Sequence, residues 1–145
     1  MSTSTATPPD PLAPVPVTDN YSIGADQILN VSANIFDNQG LLGNDRETLL
    51  GVVGGLSLTV TGCSSSPETI SNALSVNSSY GQWQVQPNGA FTYQASGPAS
   101  KQLLEGQTAT DLMYYQETNL FQKTAIGQAQ MRIIGTYDPL VASSE

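Results

Sequence analysis

The chain has 145 residues, a net charge of −8, no histidine and one cysteine, and its four bases (Arg46, Lys101, Lys123 and Arg132) are scattered. Scattered bases exclude nucleic-acid binding by counterion release, and the missing imidazole excludes Ser-His-Asp or Cys-His catalysis and the usual zinc cages. Only 11% of residues are charged, against roughly 25% in an ordinary soluble domain, so Ser, Thr, Asn and Gln must supply the polar surface.

A chain of this length is one domain's worth of sequence and buries enough surface to fold without disulfides or metal. Cys63 has no internal partner and no nearby base, so it reads as a structural residue. The opening "MSTSTATPPDPLAPVPV" has neither a basic n-region nor an apolar h-region, so it is not read as a signal peptide, and no apolar run reaches membrane-spanning length. No membrane partner is expected.

Residues 1–17 hold five of the nine prolines, Pro8, Pro9, Pro11, Pro14 and Pro16. Proline fixes φ near the polyproline value and removes donors, which predicts an extended arm. Pro8, Pro9, Pro11, Leu12, Pro14, Val15, Pro16 and Val17 are its candidate partner-binding residues.

From residue 18 to 139 the pattern is β. "YSIGADQILNVSA" reads as strand, turn, strand. "IFDNQGLLGND" reads as turns around an apolar plug of Ile35, Phe36, Leu41 and Leu42. "GLSLTVTG" alternates Leu56, Leu58 and Val60 with Ser57, Thr59 and Thr61, a strand with one buried face. "CSSSPETISNALSVNSS" reads as a polar loop with a short strand or helical turn.

The clearest element is "SYGQWQVQPNGAFTYQ". Trp83 and Val85 share one face, and Gln82, Gln84 and Gln86 the other. Pro87-Asn88-Gly89 supplies the turn, because Asn-Gly tolerates positive φ. Phe91 and Tyr93 alternate on the return strand. Trp83, Val85, Phe91 and Tyr93 are therefore the predicted aromatic plug of the core. "PASKQLLEGQTAT" reads as a loop with a helical turn, "DLMYYQE" as a strand and "TNLFQKTAIG" as a turn region. "AQMRIIGTYDP" closes the domain with Ala129, Met131 and Ile133 on one face; residues 140–145 are a tail. About seven short strands and no long helix predict an all-β antiparallel sandwich.

The blocks "YGQWQVQPNGAFTYQ", "LLEGQTATDLMYYQ" and "GQAQMRIIGTYDP" resemble the VCBS repeat of bacterial surface proteins. "VTDNYSIGADQILNVSANIFDNQGLLGND" is similar to the cadherin-like modules that accompany it. The resemblance covers roughly residues 15–139. It implies an immunoglobulin-like or cadherin-like sandwich used for spacing, adhesion or attachment, with no catalytic residues. Two departures stand out. Such modules come in tandem, and one copy occurs here. The acidic run that follows "ND" in that family, and suggests calcium there, is "NDRETLLG" here. Asp19, Asn44 and Asp45 remain as oxygen donors, short of the six to eight that calcium takes. No metal or cofactor is expected, and Asn44 and Asp45 read as closing a turn through their side chains.

No phosphate-binding motif occurs: "GVVGG" lacks the lysine and the following helix. No framed carboxylate pair for glycoside hydrolysis stands out, and no motif supports a Lys–Asn cross-link at Lys101 or Lys123. The chain is not read as an enzyme. A small lone sandwich with an extended arm points to a structural protein, a decoration or cement protein on the outer surface of a tailed-bacteriophage capsid (a virion component). Its expected partners are the major capsid protein or other assembly subunits, with a homo-oligomer, dimer or trimer, formed alongside. The alternatives are an extracellular or cell-surface adhesion or filament subunit, and a carbohydrate-binding module stacking sugars on Tyr80, Trp83, Tyr93, Tyr114 and Tyr115.

Overall fold

The computed structural model describes residues 13–33, 40–42, 44–47, 52–53 and 58–138. Pro8, Pro9, Pro11, Leu12, Ile35, Phe36, Leu56, Ser57 and the tail lie outside the described residues. Described strands, in chain order, are β1 (Asp19–Gly24), β2 (Ile28–Val31), β3 (Arg46–Glu47), β4 (Val52–Val53), β5 (Thr59–Ser64), β6 (Ser75–Asn77), β7 (Gln82–Val85), β8 (Phe91–Gln94), β9 (Thr108–Thr118) and β10 (Thr124–Ile134). A single helical turn, Pro98–Lys101, and a 3-10 turn, Pro67–Thr69, interrupt them.

The strands make a β-sandwich. One sheet has the order β1-β10-β9-β5 and the other β2-β8-β7-β6, while β3 and β4 form a separate ribbon. All pairings are antiparallel except that of β1, which runs parallel to β10 with Asp19 opposite Ala129. "YSIGADQILNVSA" is strand, turn, strand, but not a hairpin: β1 joins one sheet and β2 the other, so the turn crosses between layers.

β9 and β10 run eleven residues each, longer than their sequence patterns suggest. Alternation simply continues outward through Thr118 and Thr124 to a turn at 119–123. There the Asn119 carboxamide oxygen accepts from the backbone N–H groups of Phe121, 2.9 Å, and Lys123, 3.0 Å. That side chain replaces the missing backbone pairings of the loop.

The space between the sheets holds the alternating residues. Trp83, Tyr93, Met113, Tyr115, Ala129, Met131 and Ile133 are fully buried, and Val85 and Phe91 nearly so. Trp83 lies edge-on to Tyr93 with ring centroids 4.8 Å apart, and Tyr21 meets Phe91 at the same distance. Edge-to-face packing aligns the positive ring edge with a negative face and adds about 1 kcal/mol to the area buried.

The Pro-Asn-Gly turn does more than reverse the chain. Gly89 takes φ 92°, and its carbonyl accepts from Leu41 N–H at 2.8 Å. A Cβ there would sit 3.0 Å from the Leu42 nitrogen. The hairpin tip thus clamps the "GLLGND" plug, whose Leu41 and Leu42 are buried. In β5 the register slips between Val60 and Gly62, a bulge that turns both Gly62 and Cys63 inward. Only glycine fits at the bulge, since a Cβ on Gly62 would lie 1.8 Å from the Ser71 carbonyl oxygen.

Candidate functional site

Residues 13–17, the described part of the proline-rich segment, run against the sandwich. Pro14 is buried, while Val15 and Val17 are exposed. Pro16 and Thr18 wall a shallow cleft of about 270 Å³ with Pro67, Tyr114, Ile126, Gly127 and Gln128. The Val17 N–H donates to Asp45 Oδ1 at 2.7 Å. This bond joins Val17 to the loop of Leu41, Leu42 and Asp45, 28 residues away in the chain.

Beside that bond lies a carboxyl cluster. The Tyr115 hydroxyl is 2.8 Å from Asp45 Oδ2, 3.0 Å from the Leu41 carbonyl oxygen and 3.2 Å from Asp19 Oδ2. Asn44 hydrogen-bonds Asp19, and the Glu117 carboxyl lies beside Asp45. Asp19, Asp45 and Glu117 are all buried, the last two completely. β9 aims Tyr115 and Glu117 inward because they continue the odd-numbered series of Asp111 and Met113. β10 makes the space: Gly127 faces Tyr115 in register, and a Cβ on it would come 2.4 Å from the ring carbon Cζ.

One phenol proton cannot serve three acceptors, and buried carboxylates side by side repel when both are charged. Burial and mutual repulsion both favour the protonated acids. Burial, then the charge of Asp45, lift the Asp19 carboxyl from 3.8 to about 7, although Tyr115 and Asn44 pull the other way. Burial likewise raises Asp45, against the pull of Val17, Glu117 and Tyr115. The Tyr115 and Tyr21 hydroxyls are pushed up by burial and by the neighbouring acids, so they stay protonated. Among the described residues, no three acidic or sulfur side chains are arranged to hold a metal ion. Asp19 and Asp45 converge on the Tyr115 hydroxyl, and Asn44 hydrogen-bonds Asp19.

Asp111, also on β9, accepts from Ser78 Oγ at 2.6 Å and from Tyr93 Oη at 2.7 Å. This buried carboxyl ties the two sheets together. Of the tyrosines and tryptophan suited to stack sugars, Trp83, Tyr93 and Tyr115 have no exposed surface, leaving only Tyr80 and Tyr114, both half-buried. Cys63 is buried, and burial pushes its thiol up to about 12, far from a reactive thiolate. A second cleft, about 510 Å³, opens beside Asp26, Lys101, Glu105 and Tyr137. Its Lys101–Asp26 pair is 4.0 Å apart and solvent-exposed, which makes it a weak surface pair.

Sequence reasoning missed Tyr115 as a core hydroxyl, Glu117 as a buried acid and Gly127 as the gap that admits the ring. The signal for the first two was present. Their alternation with Met113 already put them on the inward face. No protein-family model matches the chain, and no curated protein matches it.

Proposed function

We propose that this chain is a non-enzymatic structural module: an immunoglobulin-like sandwich that decorates the outer surface of a tailed-bacteriophage capsid. In this reading its N-terminal arm contacts the major capsid protein. The carrying observation is the arm's root. Pro14 is buried and Val17 is bonded to Asp45, so the proline-rich segment departs from a fixed point on the sandwich. A fixed root limits the volume that the arm must search, which raises its effective concentration at a neighbouring subunit.

The immunoglobulin-like part of the reading is supported by how strands divide between the layers. In such folds the second, fourth and fifth strands share one sheet, and the third, sixth and seventh the other. Setting aside the β3–β4 ribbon and the edge strand β6, this is the partition of β2, β7 and β8 against β5, β9 and β10. A surface poor in charge and rich in amides and hydroxyls also suits many weak contacts on a repeating lattice.

The test is location. Immunogold labelling and mass spectrometry on purified particles, and on whole producing cells, should place the chain on capsid heads. Label confined to the cell surface or culture medium would overturn the capsid reading in favour of an adhesion or filament subunit.

A further inference from the structure

The segment that precedes β1 is lightly held where it meets the carboxyl cluster. Of residues 13–18, only Pro14 is buried; Val15, Val17 and Thr18 are exposed, and Ala13 and Pro16 are half-buried. Val15 makes a single β-bridge, and the Val17 N–H donates to Asp45 Oδ1. Pro14 and Pro16 bring no N–H to any ladder. Asp19 then opens β1, an edge strand of its sheet, paired with β10. The facing loop is held more firmly. Leu41 and Leu42 are buried, the Leu41 N–H donates to the Gly89 carbonyl at 2.8 Å, and the Asp45 N–H donates to the Leu42 carbonyl at 3.2 Å. When the two part, residues 13–18 are therefore the side that moves, because local opening selects the element with the least buried surface.

Asp19 supplies the reason to part. Its Oδ2 and that of Asp45 approach the Tyr115 hydroxyl at 3.2 and 2.8 Å, and the Leu41 carbonyl oxygen does so at 3.0 Å. While Asp19 keeps its proton, its own O–H can donate to the Tyr115 oxygen and leave the phenol proton for Asp45 or Leu41. Once that proton is lost, three acceptors face one donor, and a further negative charge enters a buried cluster of acids. Asn44 supplies Asp19 with one hydrogen bond. The titratable groups around it are Tyr21 from β1, Tyr115 from β9 and Asp45 from the loop. Glu117 from β9 stands one step further, beside Asp45, and β10 presents Ala129 opposite. None of the groups that act on Asp19 is a cation. A charged Asp19, 6% exposed in place, gains water at least cost by leaving with the strand end that carries it.

We propose that residues 13–18 form a proton-operated latch: with Asp19 protonated they lie closed against the sandwich, and loss of that proton frees them together with the first residues of β1. Burial, then the charge of Asp45, hold the Asp19 carboxyl up at about 7 in the closed form, so the latch works near neutrality. In the open form the carboxyl meets water and returns toward its ordinary 3.8. The closed form is therefore the one that retains the proton, so acid closes the latch and alkali opens it. Between about pH 5 and about pH 8 the opening constant rises roughly a hundredfold, as long as the closed form stays the major one. The latch is a property of the chain alone and does not rest on the capsid reading.

The experiment is amide hydrogen exchange by NMR on the full chain from about pH 5 to about pH 8, with each rate divided by that of the unstructured amide so that the opening constant remains. Val17 reads the latch through its bond to Asp45, and the amides of the β9–β10 ladder read global unfolding. Val17 protection should fall roughly a hundredfold over this range. It should not change in low urea, since local opening exposes little surface, while the ladder amides lose protection as urea rises. Asp19→Asn, whose amide imitates the protonated acid, should keep Val17 protected throughout. Val17 protection that is constant with pH overturns the proposal. So does a Val17 amide that opens only with the ladder, at the same rate and with the same urea dependence, and so does an Asp19→Asn variant that still loses protection as pH rises. Should that variant not fold by circular dichroism, the pH and urea series on the wild type decides alone. Failure of the latch leaves the capsid reading standing, and particles bare of label leave the latch standing.

Discussion

Raising the pH from about 5 to about 8 should destabilise this protein, and the carboxyl cluster sets the size of the effect. Asp19 holds its proton up to about 7 in the folded chain, against 3.8 as the ordinary value. Between those values the folded state binds a proton that the unfolded state has released. Stability from this group is fully present below about pH 4 and lost as pH rises through about 7. At 1.36 kcal/mol per unit of difference, Asp19 alone removes about 2 to 3 kcal/mol between pH 5 and pH 8, an order-of-magnitude figure. For a chain of this size that is a fall in Tm of about 6 to 10 °C. The groups facing Asp19 do not reverse the sign. Asp45 is also raised, and Tyr21 and Tyr115 stay protonated throughout. The assay is calorimetry at fixed ionic strength on the wild type and Asp19→Asn. The amide imitates the protonated acid, so the variant should melt higher than wild type at about pH 8 and show a flatter profile. A wild-type Tm that rises from pH 5 to 8, or an Asp19→Asn variant with undiminished pH dependence, would refute the retained Asp19 proton.

Three further outcomes follow from the packing. Gly127→Ala should cost about 3 kcal/mol by urea denaturation, the upper end for overpacking, because the added methyl meets the Tyr115 ring at 2.4 Å and that ring is held by its hydroxyl contacts; a loss below 1 kcal/mol would mean that the ring is free to move. Tyr93→Phe should cost about 2 kcal/mol, since it deletes one oxygen but leaves Asp111 buried with Ser78 as its remaining side-chain donor. Cys63 should stay silent to Ellman's reagent at about pH 8 in the native chain and react fully in denaturant, as burial holds its thiol near 12.

The elements that were legible in the sequence are those whose cause is local. The β7–β8 hairpin announced itself through alternation and Pro87-Asn88-Gly89, and its four inward residues are buried where alternation puts them. The helical turn after Gly97 likewise follows from Pro98 at its first position. What could not be read depends on residues far apart in the chain. The parallel pairing of β1 with β10 spans 110 residues, from Asp19 to Ala129, and no local pattern specifies it. Alternation with Met113 places Glu117 on the inward face, but its neighbour Asp45 comes from a loop distant in the chain. Tyr114 and Tyr115 looked equivalent as a pair. Period-two geometry sends one to the surface and the other into the core, where it binds two separate segments, β1 and the loop of Leu41 and Asp45. The calcium-like triad of Asp19, Asn44 and Asp45 was legible as a neighbourhood, while its chemistry depended on Tyr115 and Glu117 arriving from β9.

The most direct test of the central claim, that this is an assembly module working through an arm rooted on the sandwich, compares the full chain with one lacking residues 1–12. That cut spares Pro14 and the Val17–Asp45 bond. Each form is incubated with capsid particles stripped of the protein, sedimented and quantified, with Tm measured in parallel. The truncated chain should keep its Tm within about 2 °C, a change of under roughly 1 kcal/mol, and lose most of its binding to the particles. Undiminished binding by a folded, truncated chain would contradict the account.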